Sequence, residues 1–309
     1  MGTKDKRKSE NLLGTLLIMP FVVWLCIVFL YPSATTLRLS FHNQRLIGAP
    51  SQFVGLDMYI RLFKDADFWT AVMNSAVWTI SSVVLQTVLG VLVAIVLNQE
   101  FFGVRFLRTW IILPWVIPYS VIAVMARWML SSSFGVINWL LMRTKLVSYP
   151  INFLGSMDLA MTTAVIVNVW KWFPFAAVTY LAALQGIPYD LYEAARLDGC
   201  NRWQEFRYVT MPALIPTLTV TVLFMTFWNF NTFGLIYLLT AGGPATATTT
   251  LPILVYKKAF QSFRMSEASA LSILMFLILL VYSSISNRLS SKLEAANRSE
   301  EHTSELQSL

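Results

Sequence analysis

Charge is scarce in this chain. Only 13% of its 309 residues are Asp, Glu, Lys or Arg, against 56% that are hydrophobic, and mean hydropathy is +0.61. A soluble domain carries about 25% charged residues, so too few are present to coat a globular surface. The shortage is also clustered: segments 11–37, 68–99, 109–126, 208–256 and 268–287 contain no Asp, Glu, Lys or Arg. Crossing the hydrocarbon core takes about 20 largely apolar residues at about 1.5 Å rise each. Most of these segments reach that length, and 208–256 has room for a span and a loop. The chain is a membrane protein.

Other absences narrow its chemistry. There are two cysteines, Cys26 in mid-span and Cys200 in a polar loop, and their difference in depth excludes a disulfide framework. The two histidines are His42 and His302, and no His/Cys/Asp cluster has metal spacing. Neither a GxxxxGK[ST] phosphate loop nor a GxGxxG turn occurs, so any ATP and magnesium chemistry belongs to another chain. No nucleophile–base pair points to a membrane enzyme. Acidic and histidine residues are missing from the spans, where an ion-coupled secondary transporter places its ion sites. The net charge of +7 is best assigned to basic residues that flank spans rather than to nucleic-acid binding.

What is present reads as an all-α membrane protein with six helical spans, roughly 12–36, 70–97, 108–130, 160–184, 212–239 and 268–287. Lys4, Lys6, Arg7 and Lys8 lead the first span and hold residues 1–10 in the cytoplasm. The first apolar stretch exceeds a signal-peptide core and lacks a small-x-small cleavage site. Six spans then place both termini inside. That topology puts twelve Lys/Arg inside and ten outside, leaving Lys171 within a span. So slight a bias leaves the orientation resting on the N-terminal cluster. Pro114 and Pro118 are expected to kink or break the third span, and Pro174 the fourth. A short helix is expected around 134–142 in the outer loop 131–158. Residues 298–309 (Arg-Ser-Glu-Glu-His-Thr-Ser-Glu-Leu-Gln-Ser-Leu) resemble read-through of a DNA-sequencing adapter, so they are expected to be non-native and are excluded from functional reasoning. The six-span membrane domain is therefore 11–290, with a tail at 291–309.

The loop between the fourth and fifth spans carries most information. In 186–216, Pro188 suits the first turn of a helix, and Asp190 and Glu193 suit its positive end. Gly199 suits a left-handed stop. The resulting helix of about ten residues is too short to be stable alone and needs a docking partner. Ala194 and Ala195 allow another backbone to approach closely. A second short helix is expected over 201–208, leading to Pro212 at the membrane.

Glu193-Ala194-Ala195, Asp198-Gly199, Phe206 and Pro212, with Val209 and Met211 completing the last element, resemble the EAA loop of ABC-importer permeases. One departure is Cys200, where alanine is usual. The resemblance implies a type I ABC-importer permease fold in which 186–211 is a cytoplasmic coupling helix seated on an ATPase subunit. Trp228-Asn229-Phe230-Asn231-Thr232-Phe233, Leu239-Thr240-Ala241-Gly242-Gly243-Pro244 and Asn168-Val169-Trp170-Lys171-Trp172-Phe173-Pro174-Phe175 resemble the maltose-type carbohydrate permeases. The implied partners are a second homologous permease, a dimeric ATPase carrying the ATP and magnesium, an extracytoplasmic sugar-binding protein and membrane lipid.

Polar groups inside spans face a cavity or a protein partner. Asn168, Lys171 and Phe175 share a face of the fourth span by spacing, as do Met225, Trp228 and Asn229 on the fifth. By the resemblance, Asn168, Lys171, Trp172, Phe175, Met225, Trp228 and Asn229 line the pathway of a sugar, whose C–H faces stack on rings while its hydroxyls need amides. The same aromatics at helical spacing also suit plain packing between spans. Lys171 has three readings: snorkelling outward, capping carbonyls freed near Pro174, or meeting an anionic cargo such as a glycerol phosphate. The maltose permease is small or apolar at the positions of Lys171 and Trp172, which argues against maltose itself.

Overall fold

The computed structural model describes the backbone of residues 3–45 and 51–307 and the side chains of 14–45 and 51–288. The cluster Lys4, Lys6, Arg7 and Lys8 and the tail 298–309 lie outside the residues whose side chains are described. The chain divides into two compact units, Met1–Asp65 with Val255–Leu277, and Ala66–Leu254 with Ile278–Leu309.

In the first unit, helix α1 runs over Thr3–Leu25, a π-helical turn at Cys26–Leu30 and Tyr31–Ser40. Within its apolar stretch Gly14–Ser40 the most apolar window has no buried residue, as on a lipid-facing or partner-facing span, and only Ser40 at its end is buried. A two-residue hairpin, β1 (His42–Asn43) with β2 (Gln52–Phe53), leads into α2 (Asp57–Lys64). The backbone N–H groups of Met265 and Ser266 donate to the carbonyls of Arg45 and Gln44 at 3.2 Å each, satisfying donors that a helix start leaves orphaned.

An ion cluster ties this unit together. Lys258 Nζ lies 2.9 Å from Asp65 Oδ2 and 3.1 Å from Glu267 Oε2, with its side chain only 12% exposed. Burial alone pulls the Lys258 ammonium down, but hydrogen bonds and charge from Asp65 and Glu267 outweigh it, and its pKa stands above the ordinary lysine value. A raised pKa means stability that is complete below about pH 10.4, the unfolded value, and is lost as pH climbs through the folded one. Lys258→Met is therefore expected to destabilise the solubilised protein by about 1–2 kcal/mol, discounted for partial solvent exposure. Thermal unfolding at pH 7 and pH 11 checks this, since the gap between wild type and variant should narrow at the higher pH.

The second unit holds the spans between Ala66 and Leu254, and the last helix is divided between the two units at Leu277. Helix α3 covers Ala66–Leu97, α4 Val104–Val116, α5 Tyr119–Met129 and α6 Val136–Arg143. Then follow α7 (Ala160–Gln185), α8 (Tyr189–Leu197), α9 (Arg202–Phe230), α10 (Gly234–Thr240) and α11 (Leu251–Tyr256). The last helix, α12, starts at Met265, and its apolar stretch Met265–Arg288 is long enough to cross a membrane. Among the described residues five helices are long and apolar enough to span, and α4 with α5, bent by 94°, makes six when the pair is counted as one broken span.

The bend follows from Pro118. The residue before a proline is pushed out of the helical region, and Ile117 sits at φ −65°, ψ 132°. The expected break in the third span is thus present. The fourth is different: α7 continues without interruption through Pro174. Neighbouring helices enclose more than half of that span's apolar window, and such packing tolerates one missing N–H.

Two boundaries also differ from expectation. The second short helix of the 186–211 loop is not separate, because Arg202–Glu205 passes through a π-helical turn at Phe206–Thr210 into the span. The fifth span ends at Phe230 rather than near 239. Asn231 Nδ2 donates to Phe227 O at 2.9 Å and Thr232 Oγ1 to Trp228 O at 2.8 Å. These side chains compete with the backbone ladder and end the helix, information that apolar content alone does not carry.

One apolar core packs α3 and α7 against α5, α10 and α11, and a second lies in the seam between α3, α7 and α9. Gly90 is needed there: a Cβ at that position would stand 2.6 Å from Ala176 Cβ and 3.2 Å from the backbone of Ala176 and Ala177. Small residues that let backbones approach are the main packing device between helices in lipid.

Candidate functional site

The seam between α3, α7 and α9 is polar at its centre. Asn168 Nδ2 donates to Asn229 Oδ1 at 2.6 Å and to Ser82 Oγ at 3.0 Å. Asn229 Nδ2 donates to Gln86 Oε1 at 3.0 Å and to Met225 O at 2.8 Å. Trp78 Nε1 donates to Asn229 O at 3.0 Å. All six residues are buried. Ser82 and Gln86 are one turn apart on α3, which aims both at α7. Three of the sequence-predicted pathway residues, Asn168, Met225 and Asn229, therefore sit inside this network rather than on an open wall. Among the described residues Asn168 Oδ1 has no partner, so the chain of amides ends on a buried acceptor.

The aromatic residues gather beside it. Trp172 and Trp228 have ring centroids 5.3 Å apart, Phe175 and Trp228 5.1 Å, and Trp172 and Phe175 6.4 Å. Trp115 and Tyr119 join from either side of the Pro118 break, at 5.7 Å from Phe175 and 6.3 Å from Trp172. Trp228 is 42% exposed, and Trp172 and Phe175 are half-buried. An open cleft of ≈ 460 Å³, within the usual range for small-molecule sites, is lined by Tyr119, Trp172, Phe227, Trp228, Asn231 and Thr232 among others. Stacking faces together with amide and hydroxyl groups can hold a polyhydroxylated solute.

Sequence reasoning missed Trp115, Tyr119, Asn231 and Thr232. A signal was available for the first two: a proline that breaks a span in lipid marks backbone that is buried in protein or lines a cavity.

Lys171 is in neither group. Its ammonium donates to Ile117 O at 2.6 Å and to Trp115 O at 3.1 Å, and the residue is 4% exposed. It caps carbonyls, as one of its three readings had it, but those of the third span rather than those near Pro174.

At the other end of α7, the 186–211 loop forms an exposed helical element. Helix α8 stops as the sequence predicts: Gly199 is at φ +83°, Cys200 N–H donates to Ala195 O at 2.9 Å and Gly199 N–H to Arg196 O at 3.0 Å. That is the Schellman pattern. Pro188 stands at the N-cap, one position before the first turn. Arg196 Nε pairs with Glu205 at 2.9 Å, and the Tyr192 hydroxyl meets Thr210 Oγ1 at 3.0 Å, fixing α8 against α9. Asn201 and Gln204 close a capping box at the start of α9. Glu193, Ala194, Ala195 and Asp198 lie on or at the end of α8, Phe206 in the π-helical turn, and Pro212 where α-helix resumes. No residue of α8 is buried, and Leu197 is 89% exposed.

Comparison with known proteins agrees with this geometry. Residues 86–295 match the family described as the binding-protein-dependent transport system inner membrane component. A probable ABC transporter permease of Brucella suis biovar 1 (strain 1330) is 34% identical, over 90% of this chain and 96% of its own. The trehalose/maltose transport system permease MalF of Thermococcus litoralis is also 34% identical, over 91% of this chain and 94% of its own. Among solved structures, a bacterial ABC transporter involved in import of the acidic polysaccharide alginate superposes with a TM-score of 0.82. It is 26% identical and covers 94% of this chain and 99% of its own. The chain thus belongs to the binding-protein-dependent transport system inner membrane components, the membrane-embedded permeases of ABC transporters with the type I importer fold.

Proposed function

We propose that this chain forms half of the translocation pathway of an ATP-driven importer for a sugar or sugar derivative. The observation that carries the cargo class is the half-exposed cluster of Trp172, Phe175 and Trp228 beside a cleft that also presents Asn231 and Thr232. Its similarity to a trehalose/maltose permease, a sulfoquinovosyl glycerol permease and a transporter involved in alginate import supports it. The buried Asn168–Asn229–Gln86 network holds α3, α7 and α9 in register behind that wall. Its unpartnered Asn168 Oδ1 remains an acceptor for a cargo hydroxyl if the seam opens.

The exposed helix α8 is the coupling element. A second permease would complete the pathway, and a dimeric ATPase holding magnesium and ATP would receive Glu193, Ala194, Ala195 and Gly199 in its cleft. An extracytoplasmic binding protein would deliver cargo to the opposite side. With α8 cytoplasmic, both termini are cytoplasmic too. ATP closes the ATPase cleft and moves α8, and the permease halves rock between outward- and inward-facing states around the aromatic cluster.

The test is uptake of a saccharide panel by the complete transporter in vesicles with its binding protein and Mg-ATP. Trp228→Ala is expected to raise the half-saturating saccharide concentration about three- to tenfold, the size of one lost stacking contact. Uptake by this chain alone, driven by an ion gradient, would instead make it a secondary transporter.

A further inference from the structure

We infer that Lys171 is a positioning residue that clamps the break in the third span, and not a contact for anionic cargo. The inference rests on the carbohydrate-permease reading, because the wall it positions matters to transport only if solute passes there.

The break between α4 and α5 leaves the last carbonyls of α4 without helical partners, at the end of a helix where partial negative charge collects. Lysine has three N–H donors and no acceptor. Two go to Ile117 O and Trp115 O. The ammonium also stands 4.8 Å from the centroid of the Tyr119 ring and 5.7 Å from that of Trp172. Those distances are within cation–π range. Among the described residues no carboxylate lies within ion-pair distance of Lys171. Its charge is met by carbonyl dipoles and ring faces.

The next residue completes the clamp. Trp172 Nε1 donates to the Tyr119 hydroxyl at 2.7 Å. Two consecutive side chains of α7 therefore grip both sides of Pro118: Trp115 and Ile117 before it, Tyr119 after it. Tyr119 and Trp172 both line the cleft, so the angle of the break sets where that wall stands. For Lys171 to reach an anionic cargo it would have to release two part-buried carbonyls that the helix break leaves without other partners. Two of its three donors are already committed to the fold, and selection of cargo charge falls to other residues.

Two measurements on the complete transporter test this. The first is independent of cargo: spin labels at Val116 and Val124, 69% and 68% exposed on either side of the break, report its geometry once Cys26 and Cys200 are replaced. One narrow distance is expected in the parent, a shifted or broadened one in Lys171→Met, and recovery in Lys171→Arg, whose guanidinium also donates to carbonyls and stacks on rings. An unchanged distance in Lys171→Met overturns the clamp.

The second is uptake of a neutral disaccharide and a uronate disaccharide. Lys171→Met is expected to lower uptake roughly tenfold for whichever probe the parent imports. The loss should be less than multiplicative with that of Tyr119→Phe. A raised half-saturating concentration for the uronate alone, or full multiplicativity, overturns the inference. If the parent imports neither probe, the carbohydrate reading fails while the spin-label result still decides the clamp. Should Lys171→Met not accumulate, Lys171→Gln carries both measurements.

Discussion

Gly199→Val is expected to reduce ATP-driven uptake to background while leaving the protein inserted and abundant. Gly199 lies at φ +83° at the end of α8, and nothing lies within 4 Å of where a Cβ would stand. A valine there meets no steric wall in this chain. The damage comes through the backbone: a β-branched residue in the left-handed region is a severe outlier, worth about 1–2 kcal/mol or more. That is enough to unwind the two Schellman hydrogen bonds of a nine-residue helix with no buried residue. The core between α3, α7 and α9 does not touch this turn, so abundance should hold. Gly199→Asn enters the left-handed region at low cost and should keep a good part of uptake. Uptake and ATP hydrolysis by the assembled transporter, measured together, separate a coupling defect from a folding one. Full uptake in Gly199→Val would remove α8 from the coupling role.

How legible this was depends on the scale at which the chemistry acts. Spans, the Pro118 break and the Gly199 stop are local consequences of composition, of the residue before proline and of glycine at positive φ, so they stand in the sequence. The fifth span's end was not legible from apolar content, because Asn231 and Thr232 end it through side-chain bonds inside an uncharged run. The site was half legible. Helical spacing places Asn168, Lys171 and Phe175 near one another, but it does not say that Asn168 turns to α3 and α9, Lys171 to the α4–α5 break and Phe175 to Trp228. Those directions are set by helices distant in sequence. Gly90 gave no signal either, since only the position of Ala176 on another span makes its missing Cβ necessary.

That glycine is the site of the other large effect. Gly90→Leu is expected to cut the amount of folded protein severalfold and to abolish uptake. Alanine alone would bring a Cβ to 2.6 Å from Ala176 Cβ, and both Ala176 and Ala177 are fully buried with no room to retreat. Leucine adds three more carbons at the same point. Overpacking of this kind costs about 1–3 kcal/mol in a well-packed core, and lipid offers helices little other reason to stay together than close contact. The consequence reaches the pathway because Ser82, Gln86 and Gly90 follow one another at single-turn spacing along α3. Pushing α3 off α7 at Gly90 draws Ser82 and Gln86 away from Asn168 and Asn229, which exchange bonds of 2.6–3.0 Å across that seam. A combined Gly90→Ala and Ala176→Gly change restores the gap on the facing helix and should recover most of the loss seen with Gly90→Ala. Membrane abundance, thermal stability in detergent and uptake would be compared across the three variants. A Gly90→Leu protein that is as stable and active as the parent would show that α3 and α7 do not pack through this glycine.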